Sequence, residues 1–177
     1  MMPELHSRDM DVSETIETLR AVRRFDGSPI EPGELDAILD AGRRAPSSMN
    51  EQRWSFVVVT ARDRLSELSG TGQYADHCAG AAAVVALVTP DASDPADRES
   101  IAFDLGQCVQ NLMLRAWELG IGSVHAAVDD EPLARSILGY PDGWRCDYLL
   151  SLGRPRSRPT GPGERRPLAE LVHRERW

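Results

Sequence analysis

The chain has 177 residues, 41% hydrophobic and 27% charged, with a formal net charge of -8. Such a composition suits one soluble globular domain with a real core, and its acidity excludes nucleic acid or an anionic membrane as the main partner. All 20 basic residues are Arg, which excludes a lysine Schiff base or a P-loop lysine. Cys78, Cys108 and Cys146 are odd in number and widely spaced, so neither a disulfide framework nor a CxxC pair is expected. Met1 to Asp11 has no apolar core segment, so no signal peptide is expected, and no apolar run reaches membrane-spanning length. The expected compartment is the cytoplasm. One domain over residues 1–177 is expected, with a loose start at 1–10.

Asp11-Val-Ser-Glu14 fits a capping box, and a helix over about 12–21 follows with Val12, Ile16 and Leu19 on one face. Asp26-Gly-Ser-Pro29 is turn chemistry. Pro32 opens a second helix, which Pro46 ends at Arg44 or Ala45. The stretch Ala45-Pro-Ser-Ser-Met-Asn-Glu-Gln-Arg-Trp54 then leads into the apolar run Phe56-Val-Val-Val59. That run predicts a strand over 54–60, covered on both faces. A short helix over 61–69 and a loop over 70–73 come next. Residues 81–88 predict a buried strand, although their alanines also suit a helix. Residues 90–98 form an acidic loop. The longest helix spans about 97–119 and closes at Gly120. Its apolar stripe is wide enough to imply burial on more than one side, in a core or across a dimer interface. Strands over 122–128 and 148–152 flank a short helix over 132–138. The tail, 153–177, should be extended and tied down by Leu168, Leu171 and Val172, on a second subunit or elsewhere.

Common site motifs are missing. No GxGxxG follows a strand, and Ser123 sits in no GxSxG elbow. His6, His77, His125 and His173 are too scattered for a helical metal motif, so no metal is expected. Two features remain. At the junction, Ser47, Ser48, Asn50 and Gln52 put four neutral hydrogen-bonding side chains at the mouth of a strand. They suit a polar, planar ligand, or equally a loop that satisfies its own backbone. Arg20, Arg23 and Arg24, with Arg165 and Arg166 in the tail, form local basic clusters in an acidic chain. They suit a phosphate bound bidentately, or ion pairs with the many acids.

The order of these pieces resembles the nitroreductase family of FMN-dependent oxidoreductases. The family shows an Arg-Arg-Ser-x-Arg-x-Phe segment and then Ala-Pro-Ser-x-x-Asn-x-Gln-Pro-Trp before a Phe-Val-Val-Val strand. Here these read Leu19-Arg-Ala-Val-Arg-Arg-Phe25 and Ala45 to Trp54. Gln110 to Ala116 with Leu119-Gly-Ile-Gly122 is similar to the family's long helix and its exit. Arg165-Arg-Pro-Leu-Ala-Glu-Leu-Val-His173 is similar to its C-terminal signature.

The resemblance implies an α+β fold: a mixed, mainly antiparallel sheet wrapped by helices, in an intertwined homodimer whose tails pack on the partner subunit. It implies FMN sites at the subunit interface. Arg20, the backbone at Ala21, and Arg23 would line the FMN, with Arg23 facing the N1/O2 edge of the ring. Pro46, Ser47, Ser48 and Asn50 would contact it, partly from the other subunit. The backbone at Ala126 and Ala127 would lie near N5, and Arg165 or Arg166 would bind the phosphate. The implied activity passes hydride from NADPH or NADH through flavin N5 to a small organic acceptor such as a nitro compound or quinone, by ping-pong, with no dedicated acid or base. The alternative is a flavin-binding protein without NAD(P)H turnover. Three positions depart from the family pattern: Leu19 replaces Arg, Ala21 replaces Ser, and Arg53 replaces Pro. Leu19 and Ala21 remove polar contacts, so weaker FMN binding is expected unless Arg20, or Arg53 from a nearby loop, compensates.

Overall fold

The computed structural model describes residues 10–157, 159 and 163–177. The loose start expected at 1–10 therefore lies, apart from Met10, outside the described residues, as do 158 and 160–162 of the tail.

Among the described residues five α-helices and four strands follow in chain order: α1 (Val12–Thr18), α2 (Pro32–Arg43), β1 (Ser55–Val59), α3 (Arg62–Leu68), β2 (Ala83–Pro90), α4 (Pro95–Glu118), β3 (Gly122–Ala127), α5 (Glu131–Leu138) and β4 (Trp144–Gly153). The helix starts follow local chemistry. Asp11 caps α1 by accepting from the Glu14 backbone N–H, Glu31 and Glu34 form a reciprocal capping box at α2, and Asp130 caps α5 through Leu133 N–H. Gly139 closes α5 at φ 72°, the left-handed geometry that glycine adopts without a steric penalty.

The sheet order is β1-β2-β4-β3, and every ladder is antiparallel. A parallel bridge, Ala21 to Ser123, adds the mixed character. Alternation along β2 makes three layers. Val85 and Leu87 face α2 and α4, where Ile38, Leu105, Cys108 and Leu112 cover them. Val84, Ala86 and Val88 face α3 and α5, where Leu65, Leu68, Ala134 and Leu138 cover them. Each such fully buried Val or Leu contributes about 1.5–3 kcal/mol, so the two central strands anchor everything else. The Ala-rich run at 81–88 is thus a strand, because it fills the middle of the sheet.

Four sequence expectations are corrected. Helix α1 stops at Thr18, since Leu19 turns to ψ 127° and starts an extended segment. Strand β1 is not covered on both faces. It lies at the sheet edge, and Ser55 and Val58 are exposed. Strand β2 runs on to Pro90, which shortens the acidic loop. Strand β4 begins at Trp144 rather than near 148, because it pairs with that longer β2. The wide stripe of α4 is buried at Ile101, Leu105, Cys108, Leu112 and Ala116, while Phe103 is 72% exposed. Leu168, Leu171 and Val172 of the tail are also exposed in the single chain. Among the described residues no helix is long and apolar enough to cross a membrane.

Candidate active site

The arginine segment is set by backbone pairing. Beyond Leu19 the chain runs along the free edge of β3, where Val22 N–H donates to Ser123 C=O at 2.9 Å. Its far end is held by the residues after β4. Asp26 N–H donates to Arg154 C=O at 3.0 Å, Arg156 N–H to Arg24 C=O at 3.0 Å, and Phe25 bridges Pro155. Gly122 makes this approach possible, because a Cβ there would sit 2.6 Å from the Val22 Cβ. Val22 is buried, whereas Ala21, Arg23 and Arg24 are exposed.

Arg20 turns back over the end of α1. Its Nη1 donates to Glu17 C=O at 2.8 Å and Leu19 C=O at 2.7 Å. The tail brings Arg165 to the same place. A Cβ built on Gly163 would lie 2.8 Å from the Arg20 Cζ and 2.9 Å from the Arg165 Nη1. Arg20, Arg165, Ile16 and Glu17 line one open cavity of about 400 Å³. Two guanidinium groups thus form a cradle around a residue without a side chain. Glu17 also lines it, and the Arg165 Nη1 donates to Glu164 C=O at 2.9 Å. Guanidinium groups in such a pair are donors of the kind that bind an anion such as phosphate. Arg166 is turned elsewhere, toward Glu170 at 3.3 Å.

The junction is set by side chains. Helix α2 ends at Arg43, and a single 3-10 turn, Ser48–Asn50, follows. Met49, Asn50 and Gln52 have φ of 52°, 58° and 51°. Three non-glycine residues in the left-handed region within four positions constitute stored strain, which clusters at functional sites. A network holds it. Ser48 N–H donates to the Asp104 carboxylate at 3.0 Å, Gln52 N–H to Ser47 Oγ at 3.0 Å, and Gln52 Nε2 to Asn50 Oδ1 at 3.2 Å. Asp104 is 2% exposed. Arg53 is not directed at the arginine cradle. Its Nη1 lies 3.1 Å from Asp97, and its Nη2 donates to Ser100 Oγ at 2.8 Å. Of the two arginines expected to compensate, Arg20 lies in the cradle, and Arg53 is held on α4 within the single chain. Pro46 lines a separate shallow cavity against α4, with Phe103 and Gln110.

Ala126 and Ala127 end β3, opposite Leu149 and Tyr148 of β4. Ala126 is buried and Ala127 exposed. Behind this edge, on the α5 side of the sheet, His77 is 7% exposed, and its Nδ1 lies 2.8 Å from Ser151 Oγ. Burial holds the His77 pKa below its ordinary 6.5, against the raising effect of Asp76, and the positive charge of Arg23 lowers it further. Burial alone pushes the Cys108 thiol up to about 12 and is the main cause that takes Cys146 to about 12, so neither is a nucleophile.

The structure thus joins Arg20 with Arg165, ties Ala21 to β3, and places Pro46, Ser47, Ser48 and Asn50 on a separate loop rooted in α4. Sequence reasoning missed Asp97, Ser100 and Asp104. Their spacing of three and four residues, which puts them on one face of α4, was the available signal.

The family model described as the nitroreductase family matches residues 16–83 and 67–154. A protein of Archaeoglobus fulgidus, provisionally named NADH dehydrogenase/NAD(P)H nitroreductase, is 28% identical over 167 residues, covering 92% of this chain and 96% of its own. The NADPH-flavin oxidoreductase of Vibrio harveyi is 28% identical over 187 residues, covering 94% of this chain and 75% of its own. Among solved structures, nitroreductase A of Vibrio parahaemolyticus superposes with a TM-score of 0.84 at 26% identity, covering 93% of this chain and 75% of that one. With the family model spanning most of its length, the chain belongs to the nitroreductase family.

Proposed function

We propose that the chain is an NAD(P)H-dependent FMN oxidoreductase that serves a small organic acceptor such as a nitro compound or quinone. Donor and acceptor take turns at one place, in a homodimer whose junction loops and tails complete each other's sites. The observation that carries this reading is the convergence of Arg20 and Arg165 on Gly163, beside the arginine segment of the β3 edge.

Bound FMN would supply two-electron uptake from a reduced nicotinamide and delivery to the acceptor. The residues supply position and charge. Arg20 and Arg165 hold the phosphate by charge-assisted hydrogen bonds. Arg23, exposed on the β3 edge, sets a positive charge where the ring becomes anionic on reduction, which favours the reduced form. The backbone at Ala21, Ala126 and Ala127 lines the ring, and Pro46, Ser47, Ser48 and Asn50 close on it from the junction. Arg166 stays with Glu170. Hydride exchange through a stacked ring needs no protein nucleophile, and the three buried cysteines are consistent with that.

Initial rates with NADPH and menadione test the alternation. Double-reciprocal plots at several menadione concentrations should be parallel. Intersecting lines would mean that donor and acceptor are bound together, against the reading.

A further inference from the structure

Helix α4 carries a polar face that the proposed reaction does not use. Asp97, Ser100 and Asp104 recur at three and four residues and all reach the junction. Asp104 accepts from Ser48 N–H at 3.0 Å. Ser100 Oγ donates to Ser48 Oγ at 3.2 Å and accepts from Arg53 Nη2 at 2.8 Å. Asp97 pairs with Arg53 Nη1 at 3.1 Å, and Glu51 approaches the Arg53 Nε at 3.0 Å. That last approach is an ion pair by distance but is not directed as a hydrogen bond, since Nε has no hydrogen-bond partner. The Arg53 side chain is only 18% exposed.

The loop bridged by these contacts is the strained one. Left-handed φ is disfavoured at a non-glycine residue, and Met49 and Gln52 both adopt it, beside Asn50, whose short amide tolerates it better. Such a loop relaxes unless its surroundings over-determine it. Two anchors do so, one on each side of the strained residues: Asp104 at Ser48, and the Asp97–Ser100 pair at Arg53. The planar fork of Arg53 suits this role, because it serves a carboxylate and a hydroxyl at once. A proline at 53 would bias Gln52 toward extended backbone, away from its present φ of 51°.

We infer that Arg53 is a positioning residue: with Ser100 and Asp97 it clamps the junction onto α4 and thereby sets how tightly the ring system of the flavin is held. This rests on the flavin reading above. The Arg53 fork is committed to Asp97 and Ser100, so the clamp would act on the ring through the junction loop and leave the phosphate to Arg20 and Arg165.

The test is equilibrium binding of FMN and of riboflavin, which lacks the phosphate, to the full chain and to Arg53→Gln and Ser100→Ala. Arg53→Gln should weaken both ligands by the same factor, roughly tenfold, because the loop is freed from its strained state. Ser100→Ala, a milder change, should weaken both by a smaller common factor. The double variant should lose less than the sum of the two single losses, because both changes act on one chain of contacts, Arg53 to Ser100 to Ser48. The visible bands of bound flavin should broaden in parallel. Unchanged affinity for both ligands in Arg53→Gln would overturn the inference. So would a loss confined to FMN, which would put Arg53 on the phosphate, or fully additive losses. If the unaltered chain binds neither ligand, the flavin reading itself falls, and the clamp's role falls with it.

Discussion

The two halves of the proposed site are held in opposite ways. The arginine segment is gripped by backbone hydrogen bonds to Ser123, Arg154 and Arg156, over a sheet whose central strands are buried. The junction is gripped by side chains from one face of α4, and its backbone is strained. Backbone pairing is indifferent to most side-chain changes but allows no steric intrusion. A side-chain clamp is the reverse: it adjusts by small steps, and each member can be changed without unfolding the sheet. Stability and flavin affinity should therefore separate between the halves.

The largest effect should come from breaking the backbone half. Gly122→Ala would place a Cβ 2.6 Å from the Val22 Cβ. Overpacking of this kind costs up to about 3 kcal/mol, and urea unfolding should show it as a lower midpoint. If the stability stays within error, Val22 yields easily and the segment is not clamped as described. Arg165→Ala should follow, with FMN bound roughly thirtyfold more weakly through lost charge-assisted hydrogen bonds. Riboflavin affinity should not change, which separates the cradle from the junction.

His77 gives a smaller, pH-dependent effect. Its folded pKa lies below the ordinary 6.5 because burial disfavours the charged ring. The unfolded chain then binds the extra proton first as pH falls below 6.5. His77 therefore costs no stability above that value, and destabilises progressively as pH drops through the window beneath it. The contribution cannot exceed about 1.4 kcal/mol per pH unit for one proton. His77→Gln should flatten the fall in unfolding midpoint between pH 7 and 5.5, and an unchanged slope would contradict the assignment. The smallest effect belongs to the strained half. Met49→Gly relieves about 1–2 kcal/mol of left-handed strain against about 0.5–1 kcal/mol of added chain entropy, a net gain of roughly 0.5 kcal/mol. Destabilisation would mean that the φ of 52° is not a strained state.

Much of this was legible in the sequence. Pro46 ends α2 as its chemistry requires, and the junction falls between a helix and a strand as read. Arg20 and Arg165, 145 positions apart, were grouped in the sequence as members of basic clusters suited to a phosphate, but the cradle at Gly163 that joins these two depends on tertiary structure. The segment from Leu19 to Phe25 carries no periodicity of its own, because its conformation comes from β3 and the residues after β4. The edge position of β1 was hidden because an apolar run reads alike at the centre and at the edge of a sheet. Asp97, Ser100 and Asp104 were masked by the stronger apolar stripe of the helix that bears them.

The most direct measurement is the visible spectrum of the protein reconstituted with FMN and passed through a desalting column, followed by anaerobic NADPH and then NADH. Flavin bands should stay with the protein and bleach with at least one nucleotide. FMN lost on the column, or bands that neither nucleotide bleaches, would rule out the proposed function.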